Sequence, residues 1–414
     1  MTLVVKKFGG TSVGSPERIQ AVAKRVAAAR AQGERVALVV SAMGDTTDEL
    51  LALASAVAPA ASHARRRELD QLLATGEQAA VALVALALEE AGVPAISLTG
   101  PQAEILTDGA HGAARITEVR ARRVRHALAE GRVPVVAGFQ GLSAAQELTT
   151  LGRGGSDTTA VALAAALRAT RCDIYTDVDG IYSADPRRVE GARRWERLAH
   201  REALLLALAG AAVLHPRAAA LAASYRVPLR VISSLTVGPE CGTCIDGEVS
   251  VEGPRILGVA AAVGSARLTV DDPAGGAAAA AGLLAALAEA GVSVEWLEEK
   301  RADGGARRLT AIVPADRADE AERAAARVLG PCARVAIERP LARVTVVGVG
   351  LSACGAAMAG ALQRLARAGI EPEGMGISEL GLTLYVLPDQ AQPAVELLHE
   401  ALFPAETLEA RRPA

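Results

Sequence analysis

The regular alternation of short β-rich runs with helical segments is the feature that most restricts the fold of this chain. Between Leu3 and about Ile245, β-rich runs lie between segments rich in Ala, Leu and Arg; the runs read LVVKKF, RVALVVSA, PAISLTG, PVVAGFQG, DIYTDVDGIY and VPLRVISS. Strands that alternate with helices form mainly parallel sheets covered by helices. The sequence therefore predicts an α/β domain over residues 1–247, with a mainly parallel sheet sandwiched by helices.

The first strand is expected to end at Gly9-Gly10, with a helix beginning shortly afterwards. Ser15 can cap this helix with its hydroxyl, and Pro16 suits the first helical position, where an N–H has no helical partner. Apolar residues then recur at helical spacing and predict the buried face of the helix: Ile19, Val22, Ala23 and Val26.

An internal repeat follows Gly253-Pro254. The run ARLTV at 266–270 matches ARVTV at 342–346, and the Ala-rich helices after them end in AGV at 290–292 and AGI at 368–370. The repeat predicts two duplicated βαβ units, over about 264–331 and 341–403. Each is too small to bury its sheet alone, so the units should pack together or with a second chain. A homo-oligomer, such as a dimer formed through these units, is the expectation.

Charge and hydropathy exclude some classes of partner. The 414 residues carry a net charge of −3, and no run of Lys and Arg with interleaved aromatic residues suggests a nucleic-acid surface. Every apolar stretch of membrane-spanning length is interrupted by Gly, Pro or a charge, and the N-terminus MTLVVKKF opens as a strand. We therefore expect a cytoplasmic protein with neither nucleic acid nor membrane as a partner.

The five cysteines are scattered and odd in number, which is typical of buried thiols in a reducing compartment. Cys241 and Cys244 form a CxxC pair, a spacing that can bind zinc or perform redox chemistry. Without a second ligand pair, a turn with two incidental cysteines is the expectation, and no resident metal site is predicted.

The string Lys6-Lys7-Phe8-Gly9-Gly10-Thr11-Ser12 at the end of the first strand is the strongest local signal. Glycines let a backbone close around phosphate oxygens, and a lysine supplies positive charge. The chain has only four lysines and otherwise uses arginine, yet two stand side by side here. The alternative is a strand-to-helix turn with a solvated pair of charges.

A second cluster, TTLGRGGSDTT over 149–159, runs directly into the apolar stretch AVALAAAL. Its glycines permit close approach of a ligand, and Ser156 and Asp157 lie at a helix start, whose free N–H groups attract anions. Arg153 offers a two-pronged contact to a carboxylate or phosphate. A capped helix beside an exposed arginine would explain Ser156 and Asp157, but not the three glycines around Arg153.

A third string, YTDVDGIYSADPR over 175–187, is a strand followed by a turn rich in Asp, Gly and Pro. A nucleotide could find an aromatic ring and polar groups there. A plain β-turn has much the same composition, so the string alone leaves both readings open.

Together these strings, in this order, with SAMGDTTD at 41–48 and Gly76-Glu77 between them, closely resemble the aspartate kinases of the amino-acid kinase family. The resemblance covers almost the whole chain, and the duplicated tail looks like the paired ACT domains of that family. It implies ATP-dependent phosphorylation of the side-chain carboxylate of L-aspartate, with Mg²⁺ bridging the phosphates, as the first step towards lysine, threonine and methionine.

The resemblance also implies roles for individual residues, in three groups. ATP would contact Lys7, Phe8, Gly9, Gly10, Thr176, Asp177, Tyr182, Asp185 and Arg187. L-Aspartate would be bound by Thr47, Glu77, Arg153, Gly154, Gly155 and Ser156. Among these, Arg153 would bind the α-carboxylate and Glu77 the α-ammonium, while the phosphoryl-transfer centre would be organised by Lys7 and Asp157. An aspartate side chain is ionised at neutral pH and needs no general base, so His215 is expected to be a packing or capping residue.

The chain departs from the family pattern at several positions. Ala212 replaces a lysine near the ATP phosphates, and Ala80 replaces a serine near the amino-acid pocket. The ACT turns read DPAGG at 272–276 and ACG at 353–355, and LEEK at 297–300 replaces a Gln-containing segment. These changes predict weak or absent inhibition by lysine and threonine.

Two other functions stay open at this stage. One is a kinase for an aspartate-like amino acid in a specialised pathway, and the other is a regulatory homologue that binds nucleotide or amino acid without turnover. Some relatives also make a separate regulatory subunit from an internal start. Methionine occurs only at positions 1, 43, 358 and 375, so a single polypeptide is expected unless translation starts at another residue such as Val249.

Overall fold

The computed structural model describes residues 2–58, 66–211, 213–236, 242–247, 253–272, 276–301, 307–328 and 334–404. The chain divides into two compact units. The first comprises Met1–Tyr182 and Arg193–Glu252, and the second comprises Ser183–Ala192 and Gly253–Ala414. The sequence-based limits of 1–247, 264–331 and 341–403 stay predictions, but the short segment 183–192, which they assign to the first domain, lies in the second unit.

The first unit alternates strands and helices as the sequence predicts. Its strands are β1 (Leu3–Phe8), β2 (Arg35–Val40), β3 (Ala95–Leu98), β4 (Ile105–Thr107), β5 (Ile116–Val119), β6 (Val133–Ala137), β7 (Gln140–Ser143), β8 (Leu148–Thr150), β9 (Arg171–Thr176), β10 (Arg197–Leu198), β11 (Leu229–Ser233) and β12 (Gly242–Ile245). Its α-helices are α1 (Pro16–Ala31), α2 (Thr46–Val57), α3 (Arg66–Glu90), α4 (Arg122–Ala129), α5 (Gly155–Leu167), α6 (His200–Ala209) and α7 (Pro216–Tyr225).

An eight-stranded sheet in the order β10-β12-β11-β9-β1-β2-β6-β3 forms the centre of this unit. Strands β11, β9, β1, β2, β6 and β3 are parallel to one another, and β12 is antiparallel to β11. The predicted mainly parallel sheet is therefore confirmed. A second, smaller sheet has the strand order β5-β4-β7-β8, and its strands come between α3 and α5 in the sequence.

Helix α1 forms as the local sequence predicts. The Ser15 hydroxyl accepts a hydrogen bond from the Arg18 amide at 3.3 Å, and Pro16 is the first helical residue. The predicted apolar residues are buried, with Ala29 extending the same face. They pack in a cluster with Phe8, Tyr175 and residues of β2, β6 and α3.

By length and composition alone, α3 could cross a membrane. Half of its apolar window is buried within the first unit, where the helix packs against α1, β3 and β6. This burial is typical of a core helix in a globular domain.

The second unit contains the repeat. Its elements are β13 (Arg255–Asp272), α8 (Ala277–Glu289), β14 (Trp296–Arg301), β15 (Arg307–Pro314), α9 (Ala318–Val328), β16 (Arg334–Val349), α10 (Gly355–Arg367), β17 (Gly374–Ile377), β18 (Gly381–Val386) and α11 (Ala391–Leu402). They form one antiparallel sheet in the order β14-β15-β13-β16-β18-β17, in which β13 and β16 join the two halves. Each half has the order βαββα, which adds a strand and a helix to the predicted βαβ pattern.

The segment 183–192 contributes to the core of this second unit. Ala184 and Val189 belong to the apolar cluster formed by β16, β18, α10 and α11. The buried Ser183 hydroxyl lies 2.8 Å from Nε2 of His399 on α11, and the Ser183 carbonyl accepts a hydrogen bond from the Val259 amide at 2.7 Å. The chain thus enters the second unit twice.

Candidate active site

The carboxyl ends of the central parallel strands lie at one edge of the sheet. The loops that begin there include those at Gly9 after β1, Ser41 after β2, Gly138 after β6 and Asp177 after β9. Strand order runs from β1 in one direction to β2, β6 and β3, and in the other to β9 and β11. In open α/β sheets, ligands bind outside the carboxyl ends of the strands at such a switch point.

Lys7 and Asp157 form an ion pair near this edge. Lys7 Nζ lies 2.7 Å from Asp157 Oδ1, and each side chain is only 12% exposed. Alternation along β1 directs Phe8 into the apolar core and Lys7 to the opposite face, towards the first turn of α5. The sequence-predicted pair of the phosphoryl-transfer centre is therefore brought together.

The glycine loop after β1 packs closely on the loop after β2. A Cβ at Gly10 would lie 2.9 Å from the Ala42 carbonyl oxygen, and the Gly44 amide donates to the Gly10 carbonyl at 3.1 Å. A Cβ at Gly9 would lie 3.3 Å from Lys7 Nζ. The local packing therefore requires glycine at position 10, whereas the neighbour of Gly9 is the end of a flexible side chain.

Glu77 on α3 is a buried carboxylate with one unpartnered oxygen. The Ala42 amide donates to its Oε1 at 3.1 Å, whereas Oε2 has no hydrogen-bond partner within the described part of the chain. Burial raises the pKa of this carboxyl to about 7, against the lowering effect of the Ala42 amide. A cationic group of a ligand would satisfy the free oxygen and favour the charged form.

Thr47 lies on α2, the helix that packs against α3. It is the second residue of α2 and is partly buried. A Cβ at Gly76 would lie 3.0 Å from the Ala42 Cβ and 3.4 Å from the Thr46 Cγ2, so α3 packs directly on the start of α2 at this point. Thr47 and Glu77 are thus held on neighbouring elements.

The start of α5 presents a helix N-terminus at the same edge. Gly154, with a φ of +67°, precedes the helix, and Gly155 is its first residue. A Cβ at Gly138 would lie 2.6 Å from the Ser156 hydroxyl oxygen, so Ser156 packs on the loop after β6. Arg153 is exposed and makes no hydrogen bond or ion pair within the residues that the structure describes. Its guanidinium is therefore free to bind an anion.

His215 packs on this loop, as the sequence predicts for a packing or capping residue. A Cβ at Gly154 would lie 2.0 Å from its Cγ, and its Nδ1 accepts from the Arg217 amide at the start of α7 at 3.3 Å. Burial lowers the pKa of His215, although the charge of Asp157 opposes the shift. The neutral ring therefore serves as a cap.

Thr176, Asp177 and Tyr182 lie in and after β9. The Thr176 hydroxyl donates to the Asp177 carboxylate at 3.0 Å, and the Tyr182 hydroxyl donates to Asp179 Oδ1 at 2.8 Å. Burial and this hydrogen bond raise the pKa of Tyr182. Arg194 pairs with the other oxygen of Asp179 at 3.0 Å, which fixes the turn.

Asp185 and Arg187 are placed differently from the other predicted nucleotide contacts. Both lie in the segment that belongs to the second unit. They bind each other: the amide and Nε of Arg187 donate to Asp185 Oδ1 at 3.0 and 3.1 Å, and the pKa of Asp185 is lowered. Their contact with ATP stays a prediction.

Of the departures from the family pattern, Ala80 is fully buried in the apolar cluster of the first unit. Ala212, residues 273–275 and Cys241 lie outside the described residues. Cys244 is a free thiol on β12. Among the described residues, no group of three or more His, Cys, Asp or Glu side chains could hold a metal ion.

Sequence reasoning missed a polar network beside the Arg153 loop. The fully buried Asp70 of α3 accepts hydrogen bonds from His111, Gly112 and Thr150. The only available signal was Asp70 seven residues before Glu77 on one helical face, which does not reveal its partners.

The sequence of this chain is similar to those of a family of known proteins. The family model described as the amino acid kinase family matches residues 2–233. The chain is 44% identical over 413 residues to an aspartokinase of Geobacillus stearothermophilus, covering 100% of both chains. It is 42% identical over 408 residues to aspartokinase 2 of Bacillus subtilis, covering 97% of this chain and 98% of that one.

A solved structure extends this similarity to three dimensions. The crystal structure of E. coli aspartokinase III in complex with aspartate and ADP has a TM-score of 0.82 to this chain at 26% identity, covering 97% of this chain and 100% of that one. The complex of the same enzyme with lysine and aspartate has a TM-score of 0.71 at 28% identity, covering 97% of this chain and 99% of that one.

Proposed function

The chain belongs to the amino acid kinase family and is an aspartate kinase, and we propose that it uses the candidate site to transfer the γ-phosphoryl group of ATP to the side-chain carboxylate of L-aspartate. The observation that carries this assignment is the Lys7–Asp157 ion pair at the carboxyl edge of the sheet, beside Gly9. Lys7 neutralises charge on the transferred phosphoryl group, and Asp157 holds the ammonium in position.

Two groups with unmet bonding capacity form the acceptor pocket. Glu77 has a buried carboxylate oxygen without a partner in the described residues, which suits the α-ammonium of aspartate. Arg153 has an exposed guanidinium at the start of α5, which suits the α-carboxylate. The Ser156 amide adds a donor at the helix N-terminus, whereas the Gly155 amide donates to the Gly152 carbonyl at 3.0 Å, and Thr47 offers a hydroxyl from α2.

Repulsion is the main obstacle to the reaction, because an anionic nucleophile approaches an anionic phosphate. The acceptor carboxylate needs no base, so this chain contributes alignment and positive charge. Lys7, the backbone amides near Gly9 and Gly10, and the α5 N-terminus provide that charge. The adenosine part would lie against Thr176, Asp177 and Tyr182, with Asp185 and Arg187 as further candidate contacts. The Phe8 side chain is buried in the apolar core, so only the backbone of that residue could contact ATP.

Mg²⁺ fits this site as a companion of the nucleotide and not as a resident metal. Mg²⁺ usually binds through one or two carboxylates and the phosphates of the substrate. Asp157 is the carboxylate near the phosphoryl-transfer centre that could take this role. When bound, the ion would neutralise charge on the phosphate oxygens.

Regulation by the second unit is proposed to be weak or altered. At the second turn, the Leu351 amide donates to the Glu379 carbonyl at 3.1 Å and the Ser352 hydroxyl binds the Glu379 carboxylate, so these donors are already used. At β14, Glu298 pairs with Lys300 and Glu299 with Arg307, both at 3.1 Å. The two carboxylates are thus neutralised within the unit and are poor partners for an effector ammonium.

Self-association through this unit is proposed from its edge strand β17. Met375 and Ile377 are 59% and 56% exposed on that strand, which pairs only with β18 among the described residues. An exposed apolar edge strand tends to pair with another chain. A homodimer is the simplest product.

The proposed pathway role is the first step towards lysine, threonine and methionine. A changed acceptor has little structural support, because Ala80 is buried in the apolar core. Release of ADP from Mg-ATP should depend on L-aspartate, and hydroxamate trapping with a panel of amino acids should give product with aspartate above all others. ADP release without dependence on aspartate would refute the assignment.

Titration with lysine and threonine, singly and together, tests the regulatory part. Half-inhibition is expected only above about 1 mM, equivalent to a binding free energy weaker than roughly −4 kcal/mol. Inhibition at lower concentrations would show that the altered turns still bind these effectors.

A further inference from the structure

Asp70 is a fully buried carboxylate on the same helix as Glu77, and the chemistry of phosphoryl transfer does not use it. The two residues are seven positions apart on α3, so they lie on one face of the helix, two turns from each other. Buried carboxylates are costly unless donors surround them. The donors around Asp70 come from two separate segments, which are in contact at Gly112 and Gly152, next to Arg153.

The first segment is the loop 108–115. His111 Nδ1 lies 2.7 Å from Asp70 Oδ2, and the Gly112 amide lies 3.1 Å from each oxygen of Asp70. In the tautomer with its proton on Nδ1, His111 donates to Asp70, which also accepts from the Gly112 amide. The remainder of the His111 ring is partly exposed, with 23% of the side chain accessible.

The second segment is the strand end that leads into the arginine loop. The Thr150 hydroxyl donates to Asp70 Oδ1, and the Thr150 carbonyl accepts from the Ala114 amide at 2.9 Å. A Cβ at Gly152 would lie 3.1 Å from the Gly112 carbonyl oxygen, so the two segments are in contact just before Arg153. Arg217 braces them further by donating to the carbonyls of Leu151 and Ala114.

We propose that Asp70, His111 and Thr150 are positioning residues that set the separation between Glu77 and Arg153, and hence the affinity for the amino-acid acceptor. This inference rests on the proposed function, in which those two residues bind the two ends of the acceptor. Asp70 is fixed on the helix that carries Glu77, and its hydrogen bonds hold the strand end that carries Arg153. Displacement of a binding group by about 1 Å can cost up to 100-fold in rate or affinity.

The test compares His111→Ala with His111→Asn, whose side-chain N–H can replace the Nδ1–H donor. His126→Ala is the matched control, because His126 is an exposed histidine on α4 that pairs only with Glu130 among the described residues. KM for aspartate and for ATP, kcat, the aspartate Kd by calorimetry, and Tm are measured for each. His111→Ala should raise both the KM and the Kd for aspartate about tenfold, with the KM for ATP and kcat within about twofold.

His111→Asn should recover most of the aspartate affinity, and His126→Ala should match the wild type. A second pair, Thr150→Val and Thr150→Ser, should repeat the pattern, since only serine keeps the hydroxyl. A lower Tm with an unchanged KM and Kd for aspartate would reduce the network to a structural role and overturn the proposal. Equal rises in the KM for aspartate and for ATP would do the same. If the wild type neither binds nor phosphorylates aspartate, both the proposed function and the positioning role are wrong. If the wild type does both but the variants do not show the expected changes in KM and Kd, only the positioning role is wrong.

Discussion

Two groups of buried charge in the first unit differ in how completely they are paired. The structural cluster consists of Lys6, Glu34, Arg171, Asp173 and Arg230, and the site cluster consists of Lys7, Asp157 and Glu77. Lys6 Nζ lies 3.2 Å from Glu34 and 3.4 Å from Asp173, and Asp173 also pairs with Arg171 and Arg230 at 3.0 Å. Glu34 Oε2 makes no hydrogen bond within the described residues but has Lys6 at ion-pair distance, whereas Glu77 Oε2 in the site cluster has neither a hydrogen bond nor an ion pair there.

The contrast is sharp because Lys6 and Lys7 are neighbours in sequence. They lie on opposite faces of β1, so one ammonium enters a closed set of ion pairs and the other reaches the carboxyl edge of the sheet. A fully ion-paired cluster of side chains stabilises the fold, whereas a buried charge that lacks partners can bind a ligand of opposite charge. The four predictions below test this distinction.

Replacement of Lys7 by methionine should have the largest effect. Turnover should fall by about 100-fold or more, as when one preorganised donor to the transition state is removed, while the free energy of unfolding changes by less than about 1 kcal/mol. Steady-state kinetics and chemical denaturation measure the two quantities. A Lys7→Met variant that retained half of the wild-type turnover would show that Lys7 has no direct role in the mechanism.

The same substitution at Lys6 should give the opposite result. Lys6→Met removes two ion pairs from a buried cluster, but Asp173 keeps both arginines, so the loss should be about 2 kcal/mol in the free energy of unfolding. The folded enzyme should keep its kcat within about twofold. If Lys6→Met reduces kcat as strongly as Lys7→Met, the two clusters are not functionally distinct.

The pKa of Glu77 makes aspartate binding dependent on pH. With a pKa of about 7, Glu77 is mostly ionised at pH 8 and mostly protonated at pH 6, and only the ionised form attracts an ammonium. The KM for aspartate should therefore rise about tenfold from pH 8 to pH 6. Glu77→Gln should have a high KM that is constant over this range, and a flat profile in the wild type would contradict the role of Glu77.

Arg153→Lys should have the smallest effect of the four. The substitution keeps the charge but loses the bidentate contact. The loss in binding free energy should equal about one net hydrogen bond, roughly 1 kcal/mol. The KM for aspartate should rise about fivefold and the KM for ATP should stay unchanged. If the KM for ATP rises instead, Arg153 contacts the nucleotide and not aspartate.

The sequence predicted those parts of the fold and site that depend on short segments. The parallel sheet and the Ser15 cap follow from the alternation of strands with helices and from local capping. The placement of Lys7 near Asp157 was implied only by the family resemblance that two glycine-rich strings carry. The sequence analysis did not predict different roles for Lys6 and Lys7. Strand alternation could have done so, because it places Lys6 on the same face of β1 as Phe8 and Lys7 on the opposite face.

The contacts that sequence reasoning missed join distant segments. Asp70 meets Thr150 across 80 residues and Ser183 meets His399 across 216. Each is a single polar residue in an ordinary helix, strand or turn, and no local period distinguishes it from a solvent-exposed residue. The assignment of 183–192 to the second unit was missed for the same reason.

That segment limits how the protein can be divided into fragments. A polypeptide starting near Val249, a residue outside the described part of the chain, would contain β13 to α11 but not Ser183, Ala184 or Val189. Its apolar cluster would be open on one side, and His399 would lose its hydroxyl partner. Supplying residues 183–192 as a free peptide should therefore raise the melting temperature of such a fragment, in the manner of enzyme reconstitution from complementary pieces.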